Sequence, residues 1–184
     1  EAAGEVKAVD GEVDWNIELG TIARLLQGPA TGPSVLFNNI KDYNKPDSRC
    51  KKVFTGSLAN YRRIAMMMGL PPDTHPRELV KLGRTILSGA IPPKVVPTGP
   101  CKENIIKGDA VDLFEFPAPL WNRLDGGRYI QTYGACVTKD PETGRINVGT
   151  YRQMLHGPDR IGLYCSPGKH GLLDREAWWA RGEP

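Results

Sequence analysis

Apolar and polar positions alternate from Glu5 to Val9 in the manner of a short strand. Leu19, Ile22, Ala23 and Leu26 then recur at i, i+3, i+4 and i+7, which puts them on one helical face, and Gly28-Pro29 terminates that helix. Val35-Leu36-Phe37 reads as a short buried strand. Ser57 is placed to cap a helix with Leu58, Tyr61, Ala65 and Met68 on one side, Gly69 as its stop and Pro71 beyond. Another helix starts at Thr74, turns Leu79, Leu82 and Ile86 inward, and ends at Gly89; His75 at its start is expected to be exposed. Met66-Met67-Met68 reads as core filler. The first 90 or so residues thus form an α/β layer.

The texture changes near Ile91. Ile91-Pro92-Pro93 and Pro97-Thr98-Gly99-Pro100 mark a boundary between an N-terminal α/β region, 1–95, and a second region, 96–184. Strand-like runs follow at Ile105–Ile106, Val111–Phe116 and Tyr129–Thr138. A strong turn at 139–144 leads into a strand from Arg145 to His156. Gly157-Pro158-Asp159 turns the chain into Ile161–Cys165, and 166–171 is a loop. This is the grammar of an antiparallel meander, as in a small barrel or sheet. A last helix, capped by Asp174, carries Trp178 and Trp179, whose burial needs more surface than the few remaining residues offer. The fold class is α/β of the α+β kind.

Composition narrows the function more than the fold. Gly and Pro, 21 and 16 of 184 residues, demand frequent turns and argue against a long-helix bundle. A net charge of +3 without any Lys/Arg block argues against nucleic acid. No stretch approaches the roughly 18 apolar residues of a membrane span, and Glu1 to Gly11 has no signal-peptide core. Cys50, Cys101, Cys136 and Cys165 lie far apart, without a CxxC pair, and read as reduced thiols of a cytoplasmic protein.

Chemistry concentrates in Asn147-Val148-Gly149-Thr150-Tyr151-Arg152 and in Lys169-His170. On a regular strand Asn147 and Arg152 face opposite sides, and a bulge at Gly149 is the device that would unite them. His170 sits in a glycine-bordered loop whose backbone can approach a ligand closely. An amide oxygen and an imidazole begin a Mn²⁺ or Mg²⁺ site, but a carboxylate or phosphate must complete the shell. Arg152 brings a permanent forked cation suited to a carboxylate or a flavin oxygen. On residues alone, turn, bulge and solvated-face roles stay open for all three. His156 reads as a turn neighbour, and Cys136 and Cys165 as core residues without a base beside them.

Longer motifs add a resemblance. Leu113-Phe114-Glu115-Phe116-Pro117-Ala118-Pro119-Leu120-Trp121, Asp125-Gly126-Gly127-Arg128-Tyr129-Ile130, Thr138-Lys139-Asp140-Pro141 and the run from Asn147 to Arg152 together resemble the UbiD family of (de)carboxylases. The match is ordered from Asp112 to His170, and Glu5 to Gln27 resembles the family's opening strand and helix.

The resemblance implies a split β-barrel flavin-binding domain, begun within 96–184, that uses prenylated FMN. It gives Asn147 and His170, 23 residues apart, as ligands of a Mn²⁺ that bridges to the cofactor phosphate. It gives Asn147, Val148, Gly149, Thr150, Tyr151, Arg152, Lys169 and His170 as cofactor contacts, the Val148 carbonyl as a K⁺ contact in some members, and Arg152 as the catalytic arginine that orients a substrate carboxylate. The implied reaction is reversible non-oxidative decarboxylation of an aromatic acid, hydroxybenzoate-like by the segment 151–158, or of an α,β-unsaturated acid. The family's third metal ligand and proton-transferring acid are glutamates expected beyond Pro184. They would come from the rest of a longer polypeptide or from a second chain, in a homo-oligomer when complete, so this stretch alone is expected to be inactive. Two other readings compete: a non-catalytic module binding flavin phosphate and metal, and a structural subunit of a catalytic partner.

Overall fold

A computed structural model describes residues 2–28, 31–89 and 91–183. The helix stop assigned to Pro29 and the chain ends at Glu1 and Pro184 lie outside these residues. The fold is mixed α and β, with short helices beside small sheets.

Strands β1 (Val6–Val9) and β2 (Ser34–Phe37) pair in parallel, and β3 (Val53–Thr55) joins β2 antiparallel. The parallel pair needs a crossover, which helix α1 (Glu18–Gln27) supplies. Its apolar stripe meets the sheet: Leu19, Val35, Phe37 and Ile40 are fully buried, and Ile22 and Leu26 pack around them. Burying side chains of this size stabilises by about 1.5–3 kcal/mol each, so these four dominate the layer.

Helix α2 (Tyr61–Met67) is capped by Asn60, whose side chain accepts from the Arg63 N–H, and not by Ser57 as expected. The chain first turns at Gly56, which has φ 79°, so the helix starts one turn later. Tyr61 is consequently exposed, while Ala65 and Arg63 are buried. Arg63 donates to the Gly32 carbonyl at 2.8 Å and pairs with Glu5 at 3.1 Å. Arg62 on one side and Arg63 on the other hold the Glu5 carboxyl below its usual range. Helix α3 (Pro76–Ser88) starts after His75, exposed as expected, whose ring accepts from the Arg77 N–H. Only Leu79 is buried there; Leu82 is half-buried and Ile86 exposed, because α3 packs mainly on the short α2.

Residues 91–99 cross without helix or strand. The strands expected at 105–106 and 111–116 are absent; 3-10 turns occupy 108–110 and 113–115. Asp112 accepts from the Phe114 N–H, and that local bond closes a turn where apolar content suggested a strand. The expected strand 129–138 is two: β4 (Tyr129–Gln131) and β5 (Cys136–Lys139), in different sheets. The expected strand 145–156 likewise divides into β6 (Ile146–Gly149) and β7 (Gln153–Gly157). β5 and β6 form a ribbon around the turn at 140–144, where the Glu142 and Thr143 N–H groups lower the Asp140 carboxyl. β4, β7 and β8 (Arg160–Leu163) form the third sheet. Helix α4 (His170–Ala180) packs on the ribbon.

The two regions interlock. A β-bridge joins Asn16 to Leu120, and the Arg128 guanidinium lies 4.1 Å from the Trp15 ring centre while bonding the Tyr43 hydroxyl. Gly20 lies against the Trp121 backbone, where a Cβ would approach to 2.3 Å.

Candidate functional site

The break between β6 and β7 shapes the site. Gly149 makes no bulge; it ends β6 and leaves room for Tyr151, whose ring folds back between Gly149 and Gly171. A Cβ at either glycine would come within 2.3 and 2.8 Å of that ring. The Tyr151 hydroxyl accepts from the Gly171 N–H at 3.1 Å, satisfying one of the open donors in the first turn of α4. Tyr151 therefore fastens the strand break to the start of that helix.

His170 is the first residue of α4, not a loop residue, and it is exposed. The loop ends sooner, at Gly168 with φ 78° and Lys169 in the cap position. Asp174, expected as a cap, lies one turn inside the helix and is 2% exposed. Trp178 donates to the Lys139 carbonyl at 2.7 Å, and Trp179 stays largely exposed under the Arg175 guanidinium.

Thr150, Tyr151, Arg152 and Lys169 border one cavity of about 350 Å³ with Thr132, Tyr164 and Ser166. Two cations and several hydroxyls make it suited to an anionic, phosphate-bearing group. Arg152 also borders a second cavity of about 540 Å³, against α1, with Arg24, Gln27 and Trp121. It thus stands at a wall common to both, with its guanidinium 5.9 Å from the Tyr129 ring centre.

Asn147 does not border the Arg152 cavity. It faces α4 from β6, and its Nδ2 donates to Thr138 Oγ1 at 3.0 Å. Its neighbour Val148 points to the opposite, exposed face of the ribbon. Asn147 consequently lies within β6, whereas Arg152 lies in the break before β7 and not on the same strand. The structure gathers Thr150, Tyr151, Arg152 and Lys169 on one side, and Asn147 opposite the helix that begins at His170 on the other. Among the described residues, no group of three or more His, Cys, Asp or Glu side chains is arranged to hold a metal. Sequence reasoning missed the bonds that Thr138 and Asp174 make, which depend on partners far away in the chain. All four cysteines are free, and burial pushes the Cys165 thiol up, as suits a core residue. Among the described residues no helix is long and apolar enough to cross a membrane.

Residues 1–83 match the 3-octaprenyl-4-hydroxybenzoate carboxy-lyase N-terminal domain, and residues 94–184 match the Rift-related domain of the same family. The chain belongs to the UbiD family. Its UbiD relatives include the pyrrole-2-carboxylic acid decarboxylase of Pseudomonas aeruginosa, 34% identical, aligned over 98% of this chain and 37% of that protein. The closed form of the Sedimentibacter hydroxybenzoicus vanillic acid decarboxylase matches with a TM-score of 0.87 at 30% identity, over 100% of this chain and 39% of that one. An evolved dimeric form of the UbiD-class enzyme HmfF from Pelotomaculum thermopropionicum, in complex with prFMN, matches with a TM-score of 0.84 at 27% identity, over 100% of this chain and 40% of that one. This UbiD chain spans roughly two fifths of the length of these relatives.

Proposed function

We propose that this chain supplies the cofactor- and metal-facing part of a carboxy-lyase that acts reversibly and without net oxidation on an aromatic acid, hydroxybenzoate-like in our reading, or on an α,β-unsaturated acid. The observation that carries the reading is the cavity bordered by Thr150, Tyr151, Arg152 and Lys169, in a UbiD-family chain some of whose relatives are decarboxylases.

Lys169 and Thr150 would hold the phosphate of prenylated FMN, and Arg152 would hold the substrate carboxylate with its forked cation. Orientation is the protein's contribution: a carboxylate gripped at two oxygens keeps its carbon–carbon bond in the reacting geometry. When bound, the prenylated flavin would supply the electron sink for the carbon that loses carbon dioxide.

Asn147 and His170 fit a Mn²⁺ or Mg²⁺ site in donor chemistry, since the Asn147 amide gives its N–H to Thr138 and keeps its carbonyl oxygen available. Two neutral donors do not hold a hard dication alone. The cofactor phosphate and a glutamate from elsewhere in the polypeptide, or from a second copy in a homo-oligomer, would have to complete the shell. The Val148 carbonyl would serve a K⁺ ion in the same reading. The two small sheets of the second region are parts of a split barrel, and the enzyme works in the cytoplasm.

The test is exchange of ¹³C-bicarbonate into a panel of hydroxybenzoates and unsaturated acids by the whole polypeptide that contains this chain, loaded with prenylated FMN and Mn²⁺. At least one acid exchanges, and Arg152→Ala lowers the rate about 100-fold or more. Absence of exchange from protein shown to carry both groups refutes the enzyme reading. It would favour a non-catalytic module that binds flavin phosphate and metal.

A further inference from the structure

Asp174 is 2% exposed and does not border the Arg152 cavity. It lies one turn beyond His170, on the same face of α4. Its Oδ1 accepts from Arg145 Nη2 at 2.7 Å, which offsets the buried charge, and its Oδ2 accepts from Thr138 Oγ1 at 2.5 Å. Thr138 stands directly opposite Asn147 in the ribbon and accepts its Nδ2 at 3.0 Å.

The polarity of this chain of bonds is forced. An ionised carboxylate only accepts, so the single hydroxyl hydrogen of Thr138 goes to Asp174. Only lone pairs remain for Asn147, which must present its NH₂ there and its carbonyl oxygen on the other side. Without the carboxylate, Thr138 is free to donate to Asn147 Oδ1. The amide then turns over and offers N–H where a cation needs oxygen.

We infer that Asp174 is a positioning residue for the proposed metal site: through Thr138 it sets the amide orientation of Asn147, and by tying α4 to the ribbon it fixes the spacing between Asn147 and His170. The inference rests on the metal reading of those two residues given above. Partners of metal ligands that act in this way are commonly worth 10–100-fold in metal affinity.

Mn²⁺ binding to the whole polypeptide with prenylated FMN bound, so that the phosphate and the further glutamate are present, is read by electron paramagnetic resonance of the free ion and tests it without any assay of activity. Thr138→Val, which keeps the shape and removes the hydroxyl, weakens binding about 10–100-fold, and Thr138→Ser restores it. Asp174→Ala weakens it at least as much; should that variant fail to fold, Thr138→Val carries the test. Asn60→Ala, which loses a distant helix cap, leaves Mn²⁺ affinity unchanged and controls for general destabilisation. Unchanged affinity in folded Thr138→Val, while Asn147→Ala and His170→Ala lose binding, overturns the positioning role alone. A parent protein that does not bind Mn²⁺, or Asn147→Ala and His170→Ala variants that bind as tightly as the parent, overturn the metal reading and the positioning role with it.

Discussion

The first region of this chain is held by what it hides, and the second by what it bonds. Around β1, β2 and α1, Leu19, Val35, Phe37 and Ile40 are fully buried in one apolar cluster. Around β5, β6 and α4, Val137, Ile146 and Val148 are exposed on one side of the ribbon. Its other side meets the helix through polar contacts: Thr138, which also holds Asn147, and Arg145 donate to Asp174, and just past the ribbon Tyr151 accepts from the Gly171 N–H. Apolar burial is non-directional and tolerant of small shifts, whereas hydrogen-bond chains fix which atom points where. A scaffold needs the first property, and a site that orients ligands needs the second.

The largest expected effect lies in the scaffold. Phe37→Ala removes a fully buried ring from the cluster and should cost about 3–5 kcal/mol, read as a lower midpoint in chemical denaturation. A cost below 1 kcal/mol would mean that the first region is not closed by its apolar core. Gly149→Ala is expected to cost less, about 1–3 kcal/mol, because its new Cβ meets the Tyr151 ring at 2.3 Å. Its signature is local: hydrogen exchange at the Gly171 amide speeds up as Tyr151 is pushed off. Slow exchange there, or a purely global loss, would erase the distinction between the regions.

Legibility followed the same division. The strand at 6–9, the helix carrying Leu19 and Ala23, and the buried strand at 34–37 follow from local pattern: α1 buries Leu19 and Ala23 one turn apart, and β2 is a short apolar run buried at Val35 and Phe37. The turn at 139–144 is equally plain, since Asp140 organises it with its own neighbours. In the second region the decisive contacts are distant in sequence. Nothing local announces that Tyr151 needs Gly171, or that Asp174 needs Thr138 and Arg145. Asp174 looks like a helix cap because Asp so often is one, and the strand across 145–156 looks continuous because the break is imposed by packing. Cap choice failed for a smaller reason: Ser57 and Asn60 are both good caps, and the turn at Gly56 selected the later one. Motif resemblance singled out Thr150, Tyr151, Arg152 and Lys169, which border one cavity, but not the bonds that hold Asn147 in place.

The central claim is that Asn147 and His170 form one cation site across the β6–α4 junction. Paramagnetic broadening in the ¹⁵N-labelled whole polypeptide, with prenylated FMN bound, on addition of Mn²⁺ tests it most directly. The account predicts that the Asn147 side-chain amide and the His170 ring broaden first and together, while the amides of Val35 and Phe37 in the apolar cluster stay sharp. Broadening of only one of the two, or of neither while other residues respond, would contradict it.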